Sequence, residues 1–193
     1  MNRFYVFIFV LLFALFGCAE TTADNEIIWH ADLNHDGNDD IIKVEILTDR
    51  DTGEGAKMSV YTSDLLIYSA VADLPHVGWN GIYLFEDESG AYLLIWQPSM
   101  GQGAGHYTYE IFSFDEKGNQ VFLDTGSLVF EMRDICDRYE GLEDFVKYMQ
   151  RVNDYLASSS LIVDTHDGTL LYGTQENPIV HQYTPKWLFN VFQ

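Results

Sequence analysis

The residues best suited to chemistry fall in one short run, Asp32-Leu33-Asn34-His35-Asp36-Gly37-Asn38-Asp39-Asp40. Oxygen-bearing side chains stand at its positions 1, 3, 5 and 9, with glycine at position 6. A hard cation such as calcium takes about six to eight oxygen ligands at roughly 2.3–2.6 Å. A chain turning tightly around an ion presents alternate side chains inward, hence the spacing of two. Gly37 supplies the sharp bend. Asn38, at position 7, would offer its backbone carbonyl, and Asp40 would close the site. The competing reading is an Asp- and Asn-rich turn that binds nothing.

An EF-hand would place a bidentate Glu at position 12. Here that position is Lys43, and both flanks read as strand rather than helix. The run resembles instead the calcium loops of FG-GAP and VCBS-type repeats, in which an Asp-x-Asn-x-Asp-Gly-x-x-Asp loop joins two strands. That resemblance spans about Trp29 to Ile46. It implies Ca2+ held by Asp32, Asn34, Asp36, Asn38 and Asp40, stiffening the loop rather than performing catalysis. Those repeats recur at fixed intervals, and this sequence carries one copy. The nearest echo, Asp164-Thr165-His166-Asp167-Gly168, lacks the closing carboxylate and reads as a hairpin turn.

A second chemical feature lies near the start. Arg3 is followed by an unbroken apolar run from Phe4 to Phe16, then by Gly17-Cys18. A charged start, an apolar stretch of about 7–15 residues and a small cleavage-site residue make a secretory signal. A permanent membrane span needs about 20 apolar residues. Leu15-Phe16-Gly17-Cys18 resembles the bacterial lipobox, with Phe16 bulkier than usual at its place. The resemblance implies cleavage before Cys18, lipid on its sulfur and a domain held on the extracytoplasmic face of a cell membrane. Residues 1–17 are then the leader and 18–25 the anchor and tether. Ala19 to Asn25 reach at most about 25 Å when extended. Ordinary secretion, with cleavage after Ala19, is the alternative.

The elements that must position the Asp-rich run are mostly strands. Ile27-Ile28-Trp29 and Ile41 to Leu47 flank it. Lys57 to Tyr61, Leu65 to Val71, Gly81 to Phe85, Ala91 to Trp96, His106 to Phe114, Val121 to Leu123 and Leu128 to Phe130 follow, rich in Val, Ile, Tyr, Phe and Trp and bounded by Gly, Asp, Asn and Ser. Short connections predict antiparallel neighbours. From Leu142, apolar residues at Phe145, Val146, Met149, Val152 and Leu156 make one helical stripe that should pack on the domain's own sheet. Leu161 to Val163 and Leu170 to Tyr172 form a last hairpin around Asp167-Gly168, and Trp187-Leu188-Phe189 should dock on the core. Pro98 to Gly105 reads as the longest irregular stretch. The expectation is one mainly β (α+β) domain over 26–193. It is an antiparallel meander with one packed amphipathic helix, propeller-blade-like in part.

Composition narrows the partners. Thirty acidic residues against 10 basic give a net charge of −20. Nucleic acid is excluded as an expected partner, since phosphate binding needs clustered Lys and Arg. Divalent cations and basic partners suit such a surface. Cys136 is the single cysteine beyond Cys18, so no internal disulfide is expected, and it reads as a small apolar residue. Gly101-Gln102-Gly103-Ala104-Gly105 precedes a strand rather than a helix, so it is no phosphate cradle. The six histidines have no paired zinc spacing. Trp79, Tyr83, Trp96, Tyr107 and Tyr109 could stack on sugars but read as core. The leading expectation is a non-catalytic, calcium-stabilised binding module of unknown extracellular or envelope ligand. The alternatives are an extracytoplasmic hydrolase acting on glycan or peptide, and an accessory subunit of a membrane complex.

Overall fold

Strand alternation sets the architecture. In Asp40–Asp49, Asp40, Ile42 and Val44 point inward and are buried, while Lys43 and Glu45 point outward and are half-buried. A computed structural model describes residues 26–49, 53–72, 80–165 and 169–185. The first four strands are β1 (Glu26–Ala31), β2 (Asp40–Asp49), β3 (Gly53–Thr62) and β4 (Leu65–Ala72), and they pair antiparallel in chain order as one sheet. Lys43 and Glu26 form an ion pair across the β1–β2 ladder.

A second sheet follows. It holds β5 (Gly81–Asp87), β6 (Gly90–Gly101), β7 (Ala104–Phe114), β8 (Gln120–Glu131), β9 (Ser159–Asp164) and β10 (Leu171–Tyr172), in the spatial order β10-β9-β5-β6-β7-β8. Between β8 and β9 come a π-helical turn, Asp134–Arg138, and the helix α1, Leu142–Ala157. The helix carries the chain back across the sheet, so β9 pairs with β5 rather than with β8.

The protein is therefore mainly β, with two open antiparallel sheets and one packed helix. The expected single meander is corrected to two: β1 to β4, and β5 to β8 extended on its other side by β9 and β10. Neither sheet closes on itself among the described residues. Pro98 to Gly105, read as irregular, is a β-hairpin instead. Gln102 and Gly103 both take positive φ, 53° and 89°, the backbone of a two-residue type I′ turn. Pro98 is tolerated because β6 outruns β5 after Trp96 and pairs there with β7 alone.

The second sheet is the middle layer, and its strands β5 and β6 are buried on both faces. One face meets the first sheet through Ile82, Leu84, Leu93, Ile95, Phe112 and Phe114. The opposite face meets α1 through Tyr83, Leu94, Trp96, Tyr107, Tyr109 and Ile111. The helix contributes Phe145, Met149, Val152 and Leu156 of the stripe expected from the sequence, while Val146, expected in the same stripe, is only half-buried. Glu143 and Asp144 occupy its first turn, where negative charge suits the dipole. The leader, Cys18 and the tether, along with Trp79, His76, His166, Asp167-Gly168 and Trp187-Leu188-Phe189, lie outside the described residues. Among the described residues, no helix is long and apolar enough to cross a membrane.

Candidate functional site: the Asp-rich loop and the cleft beside it

The Asp-rich run is the β1–β2 connection, as its sequence flanks require. Its side-chain oxygens turn inward on the loop's own backbone. The Asp36 N–H donates to both Asp32 Oδ1, at 3.0 Å, and Asn34 Oδ1, at 3.1 Å. The Gly37 N–H donates to Asp32 Oδ2 at 2.9 Å. Asp36 Oδ1 accepts from the Asn38 N–H at 2.8 Å and from its side-chain amide at 3.0 Å. Gly37 has φ 85°, which a residue with a Cβ adopts only with strain.

Asp32, Asn34 and Asp36 thus bring their oxygens into one turn, with Asn38 closing over Asp36. The hydrogen bonds from the Asn38 backbone and side chain, with a smaller one from Asn34, hold the Asp36 carboxyl below the usual carboxylate range. The donor set is all oxygen, which suits calcium and not zinc.

Asp40 sits differently. It is only 2% exposed, and its two oxygens are engaged by the fold. Oδ2 accepts the Leu33 N–H at 3.0 Å, and Oδ1 accepts the Thr62 hydroxyl at 2.6 Å. Each carboxylate oxygen can accept more than one bond. A ligating role beside this anchoring role is chemically consistent. Among the described residues, no three His, Cys, Asp or Glu side chains are grouped as a metal site by themselves. A cation here would also need the Asn34 oxygen and backbone carbonyls.

Two residues of odd character inside the run explain how it is held. Leu33 is fully buried, and its carbonyl accepts the Phe114 N–H at 2.9 Å, which ties the loop to the second sheet. His35 lies against the β5–β6 turn. Its Nε2 is 3.2 Å from the Ala91 carbonyl, and its ring meets Tyr92 edge-on at 5.3 Å. The ring occupies the space where a Cβ on Gly90 would stand, 2.6 Å from Nε2.

A cleft of about 600 Å³ opens at this junction. Asp32, Asp39, Glu86 and Asp87 line it, together with His30 and Gln175. Asp87 is held below the usual range by the Ser89 hydroxyl and N–H. No known protein family, curated protein or solved structure matches the chain.

The Glu86, Asp87 and Gln175 contribution was not readable from local sequence. Glu86 to Gly90 reads as one turn among several, and Gln175 lies 145 residues from His30, whose backbone it binds at both N–H and carbonyl. No sequence spacing brings these together.

The other candidates resolve into structure. Tyr83, Trp96, Tyr107 and Tyr109 are buried in the aromatic layer rather than forming an exposed sugar platform. Burial, then the neighbouring Asp137, pushes the Cys136 thiol up, opposite to what a nucleophile needs. Asp164 is buried and accepts the Tyr83 hydroxyl at 3.2 Å. His106 and Ser127 touch at 3.1 Å on an exposed strand face, and among the described residues no carboxylate orients His106.

Proposed function

We propose that the chain is a lipid-anchored, extracytoplasmic lipoprotein whose domain is a non-catalytic binding module stabilised by calcium in the Asp32–Asp40 loop. The observation that supports it best is the inward turn of the Asp32, Asn34 and Asp36 oxygens over a backbone bent at Gly37. The four-stranded antiparallel sheet carrying this loop between its first two strands adds to the likeness to a single propeller blade. Anchoring by lipid on Cys18 rests on the leader sequence.

Removal of metal tests the loop. A ligand that binds only the folded state stabilises by about 2.7 kcal/mol at a hundred times its dissociation constant. For a domain of this size that raises the melting midpoint by roughly 5 °C or more. The full chain in detergent is melted with calcium and with chelator. The expected result is a calcium-dependent midpoint that Asp36→Ala abolishes; identical midpoints in all three cases would sink the calcium reading. Loss of labelled fatty acid on Cys18→Ser tests the anchor separately.

A further inference from the structure

The edges of the two sheets are treated unequally. At the outer edge of β1, the Gln175 side chain donates to the His30 carbonyl at 2.9 Å and accepts its N–H at 3.1 Å. The outer edge of β8 has no strand beside it among the described residues. It is also long, at 12 residues, and carries exposed apolar side chains at both ends. Val121, Phe122 and Leu123 lie at one end, with Phe122 half exposed, and Val129 at the other is 73% exposed. An open, apolar strand edge is a ready template for another extended chain.

Beside the far end of β8 lies a cleft of about 400 Å³. Its floor is Phe130 and Ile135, both buried, and Glu131, Asp134, Glu140 and Asp144 line it as well. Among the described residues, Arg138 on Asp134, at 3.0 Å, is the one cation paired with these four carboxylates. The edge therefore leads into a pocket with an apolar floor and an excess of negative charge.

We propose that β8 captures an extended segment of a basic polypeptide, which pairs as a further strand and seats Lys or Arg side chains in the acidic cleft. Main-chain hydrogen bonds along the edge supply affinity in this mode, and the alternate side chains supply choice. The charge of the cleft selects the occupant: an acidic or neutral strand would leave four carboxylates against an apolar floor with one paired cation. A second copy of this chain, with net charge −20, is opposed by the same electrostatics. The proposal rests on the reading of the domain as a binding module and not on calcium.

The test uses the full chain in detergent and three synthetic peptides of about ten residues, a normal strand length. One alternates Lys with Val, one alternates Glu with Val, and one is the Lys peptide with prolines in place of alternate valines. Proline cannot donate to a ladder. Binding is read by fluorescence anisotropy at low and high salt, and the site by hydrogen exchange. The Lys–Val peptide should bind, weaken with salt and protect β8 amides. Asp144→Lys with Glu140→Lys, both surface changes, should weaken it about ten-fold or more.

Equal binding of the proline peptide would show charge alone and overturn the strand pairing. Equal binding of the Glu–Val peptide, unchanged affinity in the charge-reversed variant, or β8 protection by self-association without peptide would each overturn it too. Recovery of the Lys–Val peptide in cleaved form would overturn the binding-module reading instead, which mass spectrometry of the bound fraction distinguishes.

Discussion

The two faces of the middle sheet are built from different chemistry. The face toward the first sheet is mainly aliphatic, with Leu84, Leu93, Ile95, Ile162 and Val163 against Ile42, Val44, Met58 and Val60, and among the described residues with rings only at Phe112 and Phe114, which meet Tyr68, and at Trp29. The face toward α1 is aromatic, and its rings come with polar atoms attached. Tyr109 and Tyr155 donate to Asp124 Oδ2 at 2.8 and 2.7 Å, and Arg151 reaches the same oxygen at 3.1 Å. Among the described residues, Trp96 Nε1 and the Tyr148 hydroxyl are buried without a hydrogen-bond partner, and so is Trp29 Nε1 on the other face. An aliphatic interface constrains volume alone, because it has no direction to satisfy. An aromatic one with hydroxyls also constrains where each ring points, since a misplaced hydroxyl leaves a polar atom stranded. The sheet-to-sheet face therefore holds the layers together, and the sheet-to-helix face fixes the setting of α1.

The largest effect is the one that should not separate the faces. Leu93→Ala and Met149→Ala each create a cavity in a filled layer and should each cost about 2–5 kcal/mol in urea unfolding. A much smaller cost at Met149 would mean that the helix layer is loosely packed and that the two faces differ in packing as well as in chemistry.

Asp124→Asn comes next and should act on the helix face alone, costing about 2 kcal/mol. Burial by itself would raise the Asp124 carboxyl. The hydrogen bonds from Tyr155 and Tyr109 and the charge of Arg151 outweigh it and hold the group below the usual carboxylate range. A depressed pKa contributes stability that is present above the unfolded value, about 3.9, and is lost as pH falls through the folded value. The gap between wild type and Asp124→Asn should thus narrow as the pH drops from about 5 to about 2. A gap independent of pH would remove the ionised carboxylate from the account.

The smallest effect has the opposite sign. Burial, more than its tyrosine neighbours, pushes the Tyr148 hydroxyl well above its ordinary pKa, and among the described residues nothing bonds it. Tyr148→Phe should leave stability unchanged or raise it by up to about 1 kcal/mol, whereas Tyr109→Phe should lower it. Destabilisation by both would show that Tyr148 has a partner.

The layers themselves were only half legible in the sequence. Strand positions follow from Val, Ile and aromatic runs, and the α1 stripe from its spacing of three and four. Which strands share a sheet does not, because β9 meets β5 by a contact about 80 residues long in sequence. The Asp124-Thr125-Gly126-Ser127 stretch looks like a turn, which split β8 in two. It is strand because the Tyr109 ring lies over Gly126 where a Cβ would be. Within the candidate site, the Asp32, Asn34 and Asp36 oxygens are local and were readable. The inward anchoring of Asp40 depends on Thr62 of another strand and was not.

The clasp between Gln175 and His30 has a mechanical consequence. Pulled along its axis at Glu26, β1 would load its six ladder positions and both clasp bonds together, so that all must fail at once. Pulled sideways, the same strand would unzip pair by pair, beginning at Glu26 and Glu45. The direction of a tug from the amino-terminal side would then decide how much force the fold withstands.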